Sequence, residues 1–482
     1  MKLGKNHNHQ DRNMKNKSPL KQVISINMTP MTRFMRINRP LLGASLMMGL
    51  SSLSSILAQS LYYDSNGATD GFNNVTGNWS SLWSTDSAGN SAVGAWVDGG
   101  TANISLPASG TTTITLDQDA TLGGLTMAGV AGSMLTIGAS AAPVKTLTMS
   151  GGTINIESGR TTTIATHFQG NFTKSGGTGT LSLGTGATAW NGTANINAGL
   201  FNTSADRVNS GSHFVLGSAG TFRQTVSALT IGNLTGSGTV EGQNLAPNKT
   251  LTVTQSTDGT FSGTLAPNAH GTGTMSFIKA GAANWTLAGA TANTYDGTFT
   301  VEDGKVTLAK TAGVDALTAG AITASGDGII ELAASNQINN AANLTLGGTT
   351  TLSLGGAFSE SLGTLTITTG DVVIDFGAGL TAQTLSFADS SATLWTGTTL
   401  SIYNWGAGDA LNFGSSATAL TADQLAKFRF YTDSGSTLSG PGGGTIDGTG
   451  SIAAVPEPST YLMLLLGFGL LHFRKKIYKS SI

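Results

Sequence analysis

The sequence predicts an all-β protein whose strands stack into a β-solenoid. Short runs in which apolar residues alternate with Thr or Ser recur along the chain, as in Leu147-Thr-Met149 and Leu344-Thr-Leu346. A period of two puts successive side chains on opposite faces of a strand, so each run has one face to bury. A longer internal repeat is the second observation, because self-similar units are typical of solenoids.

The alternation also distinguishes order from disorder. Charged residues are only 10% of the chain and 67 of its 482 residues are Gly, a composition that a disordered chain can share. Here Gly, Asn, Asp and Ser fall between the apolar runs, where tight turns need them. Apart from the segment Thr421 to Phe428, the chain between its termini has no helical period. This punctuation predicts many short strands.

The longer repeat has a spacing of 105 residues. A Phe-x-Lys-x-Gly motif at 172–176 reappears at 277–281, and an aromatic-Asx-Gly corner at 190–192 reappears at 295–297. The stretch Gly271 to Leu308 resembles the autotransporter-associated β-strand repeat. That resemblance implies a right-handed parallel β-helix, the fold of these repeats in passenger domains.

The C-terminal tail has three parts in a fixed order. Pro456, Glu457 and Pro458 hold the backbone extended, as a segment that a processing enzyme must bind requires. An uncharged run from Tyr461 to Phe473 follows, and Arg474-Lys475-Lys476 would stay with anionic headgroups. The apolar run is shorter than the roughly 20 residues that span a bilayer, which favours a temporary hold over a permanent tail anchor.

This tail resembles the PEP-CTERM sorting signal of Gram-negative bacteria. The resemblance implies recognition of Pro456, Glu457 and Pro458 by an exosortase-like membrane enzyme, with Arg474, Lys475 and Lys476 as the transmembrane stop. It also implies that the tail is removed, and it links the protein with extracellular polysaccharide as a partner.

The N-terminus carries a matching export signal. A basic leader precedes the apolar run Leu41 to Leu57, and cleavage is expected after Ala58, by way of the Sec export machinery. The predicted divisions are listed here: basic leader and signal peptide 1–58, aromatic N-terminal cap 59–107, solenoid 108–393, C-terminal cap 394–433, Gly/Ser-rich linker 434–454 and sorting signal with a short transmembrane helix 455–482.

The charge and cysteine content exclude several classes of function. Residues 59–473 carry 11 Lys and Arg against 25 Asp and Glu, a net charge of −14 that does not suit nucleic acid. Cysteine is absent, which excludes a disulfide framework, zinc–thiolate sites and cysteine nucleophiles. We expect no cofactor.

The residues between the termini contain no convincing active site. His167, His213 and His270 lie far apart without the spacing of a metal site, so no metal is expected. The remaining candidates are carboxylates. Asp371 and Asp375 are expected on one face of a strand with Val373 on the other, and the looser candidates are Glu302, Asp303 and Glu331.

These observations predict a non-enzymatic protein of the cell surface or extracellular matrix, with a structural or adhesive role and a transient inner-membrane anchor. The alternative is a secreted polysaccharide lyase or hydrolase on the same scaffold, which needs carboxylates that converge in a groove. The Trp and Tyr side chains have two interpretations, as caps of the solenoid ends or as platforms that stack on sugars.

Overall fold

The computed structural model describes residues 59–139, 142–184, 188–203, 207–243, 248–269, 271–356, 358–379 and 382–455. Within these ranges the chain is an all-β solenoid of about 13 turns with a single one-turn helix. The prediction of an all-β solenoid is therefore confirmed. The segments predicted to form the signal peptide, with cleavage at Ala58, and the C-terminal transmembrane helix lie outside the described residues. No helix within the described ranges has the length and apolar character needed to cross a bilayer.

The elements of the first half are β1 Ser60–Tyr63, β2 Gly77–Asn78, β3 Trp83–Ser84, β4 Thr101–Leu106, β5 Gly110–Leu116, β6 Ala120–Gly129, β7 Ser133–Ala139, β8 Thr146–Ile156, β9 Thr161–Ala165, β10 His167–Lys174, β11 Thr180–Leu183, β12 Trp190–Thr203, β13 Val208–Gln224, β14 Ala228–Ile231, β15 Leu234–Gly236, β16 Thr239–Gly242, β17 Lys249–Thr254 and β18 Gly259–Phe261. Those of the second half are β19 Thr264–Asn268, β20 Met275–Ala280, β21 Asn284–Gly289, β22 Phe299–Val301, β23 Lys305–Lys310, β24 Ala321–Ala324, β25 Ile329–Leu332, β26 Asn343–Gly348, β27 Thr351–Leu354, β28 Ser359–Leu362, β29 Leu365–Asp375, β30 Thr384–Phe387, β31 Thr399–Tyr403, β32 Ala410–Phe413, α1 Ala422–Leu425, β33 Phe428–Phe430, β34 Gly444–Ile446 and β35 Ile452–Ala454.

Parallel pairing arranges these strands in three ladders. Ladder 1 runs from β4 through β6, β8, β10, β12, β13, β15, β18, β21, β23, β25, β27, β29 and β31 to β33. Ladder 2 contains β5, β7, β9, β11, β12, β13, β16 and β19. Strands β28, β30 and β32 form a separate parallel sheet of three strands. Ladder 3 joins β14, β17, β20, β22, β24, β26 and β29. Strands β12, β13 and β29 pair in two ladders each, so the chain turns a corner within them.

The inward side chains of the ladders form one continuous core. Along each strand buried and partly exposed residues alternate, as the period-two pattern predicts. Aligned positions lie roughly one turn of 18 to 29 residues apart in the chain, so each inward side chain packs on those of the turns above and below. Trp285, for example, lies between Gly259 and Val306 in ladder 1.

The two copies of the 105-residue sequence repeat each form about one turn of the solenoid, but they lie at different positions around it. Phe172 pairs with Ala194 in ladder 1, and Phe277 pairs with Phe299 in ladder 3, each 22 residues further along the chain. The two copies therefore begin on different faces of the solenoid. In the strands of all three faces, inward side chains alternate with outward ones. The same corner motif can therefore come after a strand of any of the three faces.

Aromatic side chains close the N-terminal end. The rings of Trp79, Trp83 and Trp96 pack together with centroids 4.8 to 5.1 Å apart, and all three are buried. Strand β1 pairs with β4 and with β3, which places this cluster against the first full turn.

The C-terminal end differs from the sequence expectation. The ladders continue through 394–433, because β31 and β33 extend ladder 1 to Phe430. The segment 434–454, expected to be a flexible linker, instead covers the last turn: Ser439 and Gly443 donate backbone hydrogen bonds to Phe430 and Phe428. Its Gly-rich composition serves tight turns here, with Gly440, Gly442 and Gly443 at positive φ, rather than flexibility.

Candidate functional surfaces

The outward side of ladder 3 is an uncharged surface, which we call the threonine face. Its central column is listed in order along the ladder: Thr230, Thr252, Ile278, Thr300, Thr323, Thr345 and Thr366. None of the other outward residues in the ladder 3 segments of these strands is charged, since Asp371 and Asp375 lie in the part of β29 that belongs to ladder 1. The hydroxyls of the six threonines make no side-chain hydrogen bond within the described ranges. The face therefore presents a column of threonine side chains at the strand spacing of about 4.8 Å, interrupted once by Ile278.

The other two faces carry charge. Ladder 1 presents Lys305 and Glu331, which form an ion pair with a 3.0 Å distance between Nζ and Oε2. Ladder 2 presents the pair Arg223 and Glu241. Each partly exposed pair contributes little to stability because solvent screens it.

Buried cations make the outer surface more acidic than the composition suggests. Of the 11 Lys and Arg in 59–455, five are at most 2% exposed: Lys174, Arg207, Lys249, Lys279 and Lys310. Of the described carboxylates only Asp64 and Glu360 are buried to the same degree. The outer surface is thus depleted of positive charge, which further disfavours contact with nucleic acid.

The buried ammonium groups satisfy backbone carbonyls at the corners. Lys310 Nζ donates to the carbonyl oxygens of Gly263, Ala288 and Thr291 at 3.1, 3.0 and 2.7 Å. Lys279 Nζ donates to Gly281 and Asp303 in the same way. Burial lowers the pKa of Lys310 and of Lys279 to about 8. These lysines therefore hold corners together, which is a structural role.

Lys174 repeats this arrangement one corner motif earlier. Its Nζ donates to the carbonyl oxygen of Ala198 at 2.7 Å, and burial lowers its pKa to about 8. Lys174 and Lys279 are the lysines of the repeated Phe-x-Lys-x-Gly motif. In both copies of the motif the lysine ammonium group therefore donates hydrogen bonds to backbone carbonyl oxygens at a corner.

The carboxylates proposed as a catalytic pair do not converge. Asp371 and Asp375 both lie on the outward side of β29, as expected, but Val373 lies on that side too, while Val372 and Ile374 are buried. The expectation that Val373 points to the other face is wrong, because residues two apart in a strand share a face. Four residues of strand separate the aspartates by roughly 13 Å. Paired carboxylates of glycoside hydrolases lie about 5 to 9.5 Å apart.

Each of these aspartates has a structural partner. Asp371 Oδ1 accepts a hydrogen bond from the Thr399 hydroxyl at 2.8 Å, and Asp375 Oδ1 accepts one from Asn404 Nδ2 at 2.6 Å. Both contacts link one turn to the next.

The other carboxylates that the sequence offered as catalytic candidates do not lie together either. Glu302 and Asp303 are exposed at a corner, and Glu331 is tied to Lys305 and Thr307 in ladder 1. His213 Nδ1 accepts a hydrogen bond from the backbone of Asn233.

The described histidines, His167 and His213, take part in no cluster of potential metal ligands. His167 lies in ladder strand β10, and His270 lies outside the described residues. Across the described ranges no three His, Asp or Glu side chains gather as a metal ion would require.

Glu360 is a buried carboxylate that sequence reasoning did not single out. It is 1% exposed, and its oxygens accept backbone hydrogen bonds from Gln337, Ile338 and Ser361 at 2.7, 3.4 and 3.3 Å. None of the ion pairs among the described residues involves it. Burial raises the pKa of Glu360 to about 7. One signal in the sequence could have identified Glu360: in the Ser-Glu-Ser-Leu run of β28 an acidic residue occupies a position that the period-two pattern places inward.

Most aromatic side chains are core residues rather than sugar platforms. Trp79, Trp83, Trp190, Trp285 and Trp395 are at most 5% exposed. Their rings pack against other core residues, so they are not available to stack on a ligand.

The partly exposed aromatic rings lie near the two ends. Tyr62 and Phe72 line a pocket of about 220 Å³ beside β4, with Asn103 and Ser105 on its wall. A second pocket of about 660 Å³ lies beside α1, with the exposed side chain of Leu394 in its lining.

The last described residues lead directly to the sorting motif. Ala454 ends β35, and the backbone N–H of Val455 donates to the carbonyl oxygen of Gly443 at 3.4 Å. Outside the described residues lie the predicted recognition residues Pro456, Glu457 and Pro458 and the predicted stop residues Arg474, Lys475 and Lys476.

Comparison with known proteins identifies this C-terminal region. Residues 454–476 match the PEP-CTERM protein-sorting motif. The motif implies an exported protein that is directed to the cell surface and processed by an exosortase. No curated protein and no solved structure matches the chain.

Proposed function

We propose that this protein is a non-catalytic structural or adhesive component of the cell surface or extracellular matrix. In this proposal the exosortase-like enzyme acts at Pro456, Glu457 and Pro458, the tail anchors the chain only transiently, and the solenoid is displayed outside the cell. The observation that carries the proposal is the threonine face, an uncharged surface seven turns long on an otherwise acidic molecule.

A neutral face with regular hydroxyl groups suits a long, repetitive ligand such as extracellular polysaccharide. Six of the seven strands add a threonine hydroxyl to the column, and β20 adds Ile278, so weak contacts can recur along the ligand and combine. The acidic remainder of the surface keeps the protein soluble and limits self-association.

The alternative, a polysaccharide lyase or hydrolase, has less support. Its best candidates, Asp371 and Asp375, are roughly 13 Å apart along one strand and bonded to neighbouring turns.

The first experiment measures the intact mass of the protein recovered from its native cells, beside that of Glu457→Ala. The native protein should begin near Gln59 and end near Pro456, and the variant should keep its tail. A native mass that still includes Arg474 to Ile482 would show that the tail is only an anchor.

The second experiment places a charge on the threonine face. Thr300→Glu should weaken binding to polysaccharide from the protein's own matrix at least tenfold. Thr163→Glu, an outward position in ladder 2, is the matched control for general repulsion by an acidic polymer and should bind as the native protein does. Equal binding of both variants would remove the threonine face from the proposal.

A further inference from the structure

The C-terminal hairpin of β34 and β35, which we call the cap hairpin, closes the solenoid. Its strands pair antiparallel, with Thr445 opposite Ala453 and Ile446 opposite Ile452. Ile452 is 3% exposed, and Ile446 packs partly buried against the same core. The hairpin is therefore part of the folded body.

The cap hairpin is also bound to the last turn through its backbone. The N–H of Phe413 donates to the carbonyl oxygen of Gly450 at 2.8 Å, and Asn412 forms an antiparallel bridge with Ser451. Gly450 has φ +87°, and a Cβ there would overlap the carbonyl oxygen of Phe413. This close approach holds the start of β35 against β32.

The sorting motif overlaps this folded element. The match covers 454–476, so its first residue, Ala454, is the last residue of β35 and lies opposite Gly444. Val455, the second, is bonded to Gly443. No spacer separates the body from Pro456.

An enzyme that cleaves a peptide binds it as an extended strand, with backbone hydrogen bonds on a free edge and side chains in alternate pockets. The four residues that precede Pro456 are Ile452 to Val455, which include all of β35. In the closed cap the backbone of β35 is already engaged with β34, and its side chain Ile452 is inside the core. The same residues cannot occupy the cap and the enzyme together.

We propose that the processing enzyme binds β35 together with the motif, so that the cap hairpin must open before the tail is removed. This inference rests on the processing described under the proposed function and adds a control on it. Local opening of a terminal element is the least costly opening of a folded domain, since few contacts are lost. After the peptide bond is broken, and its acyl group has passed to water or to an amine, the hairpin closes and withdraws the product from the enzyme.

A cross-link across the hairpin tests the proposal. Thr445 and Ala453 are both exposed and directly opposite each other, and the chain has no cysteine of its own. The double variant Thr445→Cys, Ala453→Cys should be processed at least tenfold more slowly when oxidised than when the same variant is reduced, a comparison in which the side chains of β35 are the same. The single variant Thr445→Cys should be unaffected by the oxidant. The readout is the intact mass of the full-length chain in membranes that contain the processing enzyme.

A spacer separates blocked access from other effects of the cross-link. In the double variant, eight Gly and Ser residues followed by a second copy of Ala454 and Val455 are inserted before Pro456. Processing of the oxidised chain should return to the rate of the reduced double variant. In the opposite direction, Ile446→Ser in β34 should weaken the cap and speed processing, while Thr445→Ser, at an exposed position of the same strand, should not.

Two outcomes overturn the inference: processing of the oxidised double variant without a spacer at the rate of its reduced form, or failure of the spacer to restore processing. Neither outcome affects the sorting function itself. If instead the native chain and every variant keep the tail, the proposed function is wrong at its first step.

Discussion

Replacing the buried carboxyl of Glu360 should change the pH dependence of stability in a defined direction. Glu360 accepts three backbone hydrogen bonds inside a corner of the solenoid and has no cationic partner among the described residues. Glu360→Gln keeps the shape of the side chain and removes its charge.

The magnitude follows from the pKa. Burial raises the pKa of Glu360 from 4.5 to about 7. Between these values the folded protein holds the proton and the unfolded chain has lost it, so the free energy of unfolding falls as pH rises from 4.5 to 7. The full difference corresponds to about 3 kcal/mol, an upper estimate because solvent entry can relax a buried charge.

The assay compares urea midpoints of the native protein and Glu360→Gln at pH 4.5 and pH 8. The two proteins should be nearly equal at pH 4.5, where both side chains are neutral. At pH 8 the variant should be more stable by up to about 3 kcal/mol. Glu302→Gln, at an exposed position, is the control and should show no such difference. A stability difference between the native protein and Glu360→Gln that is the same at both pH values would refute the reasoning.

Two further predictions concern the corners. Gly199 has φ +72°, and a Cβ there would lie 2.5 Å from Lys174 Nζ, whereas Gly67 has φ +66° and open space. Both alanine variants carry a strain of about 1 kcal/mol, but Gly199→Ala should lower the urea midpoint further because it also displaces the buried ammonium. The lowered pKa values of Lys174, Lys279 and Lys310 mean that the folded protein loses protons first, so stability should rise between about pH 8 and pH 10 in a denaturation series. A flat or falling profile in that window would contradict the burial of these lysines.

The strands and their buried faces could be predicted because the alternation that defines them involves residues adjacent in the sequence. The alternation of Leu344-Thr-Leu346 places both leucines in the core of β26, as the structure has them. The C-terminal motif could be predicted for the same reason, since its parts are contiguous in the chain. The sequence could not predict that 434–454 folds as the cap, because composition does not reveal that Gly450 must approach Phe413.

The sequence by itself thus determined the strand pattern, the sorting motif and the acidic character of this protein, because each is a property of local order or composition. Only the tertiary structure decided which face each turn joins, that the cations of the Phe-x-Lys-x-Gly motifs lie inside the corners, and that the sorting motif starts within a folded hairpin. These features depend on contacts between residues a full turn or more apart. The face that a strand joins is set by how the turns stack on one another. The local sequence does not set it, since the strand could have paired equally well on any face with the same inward–outward alternation.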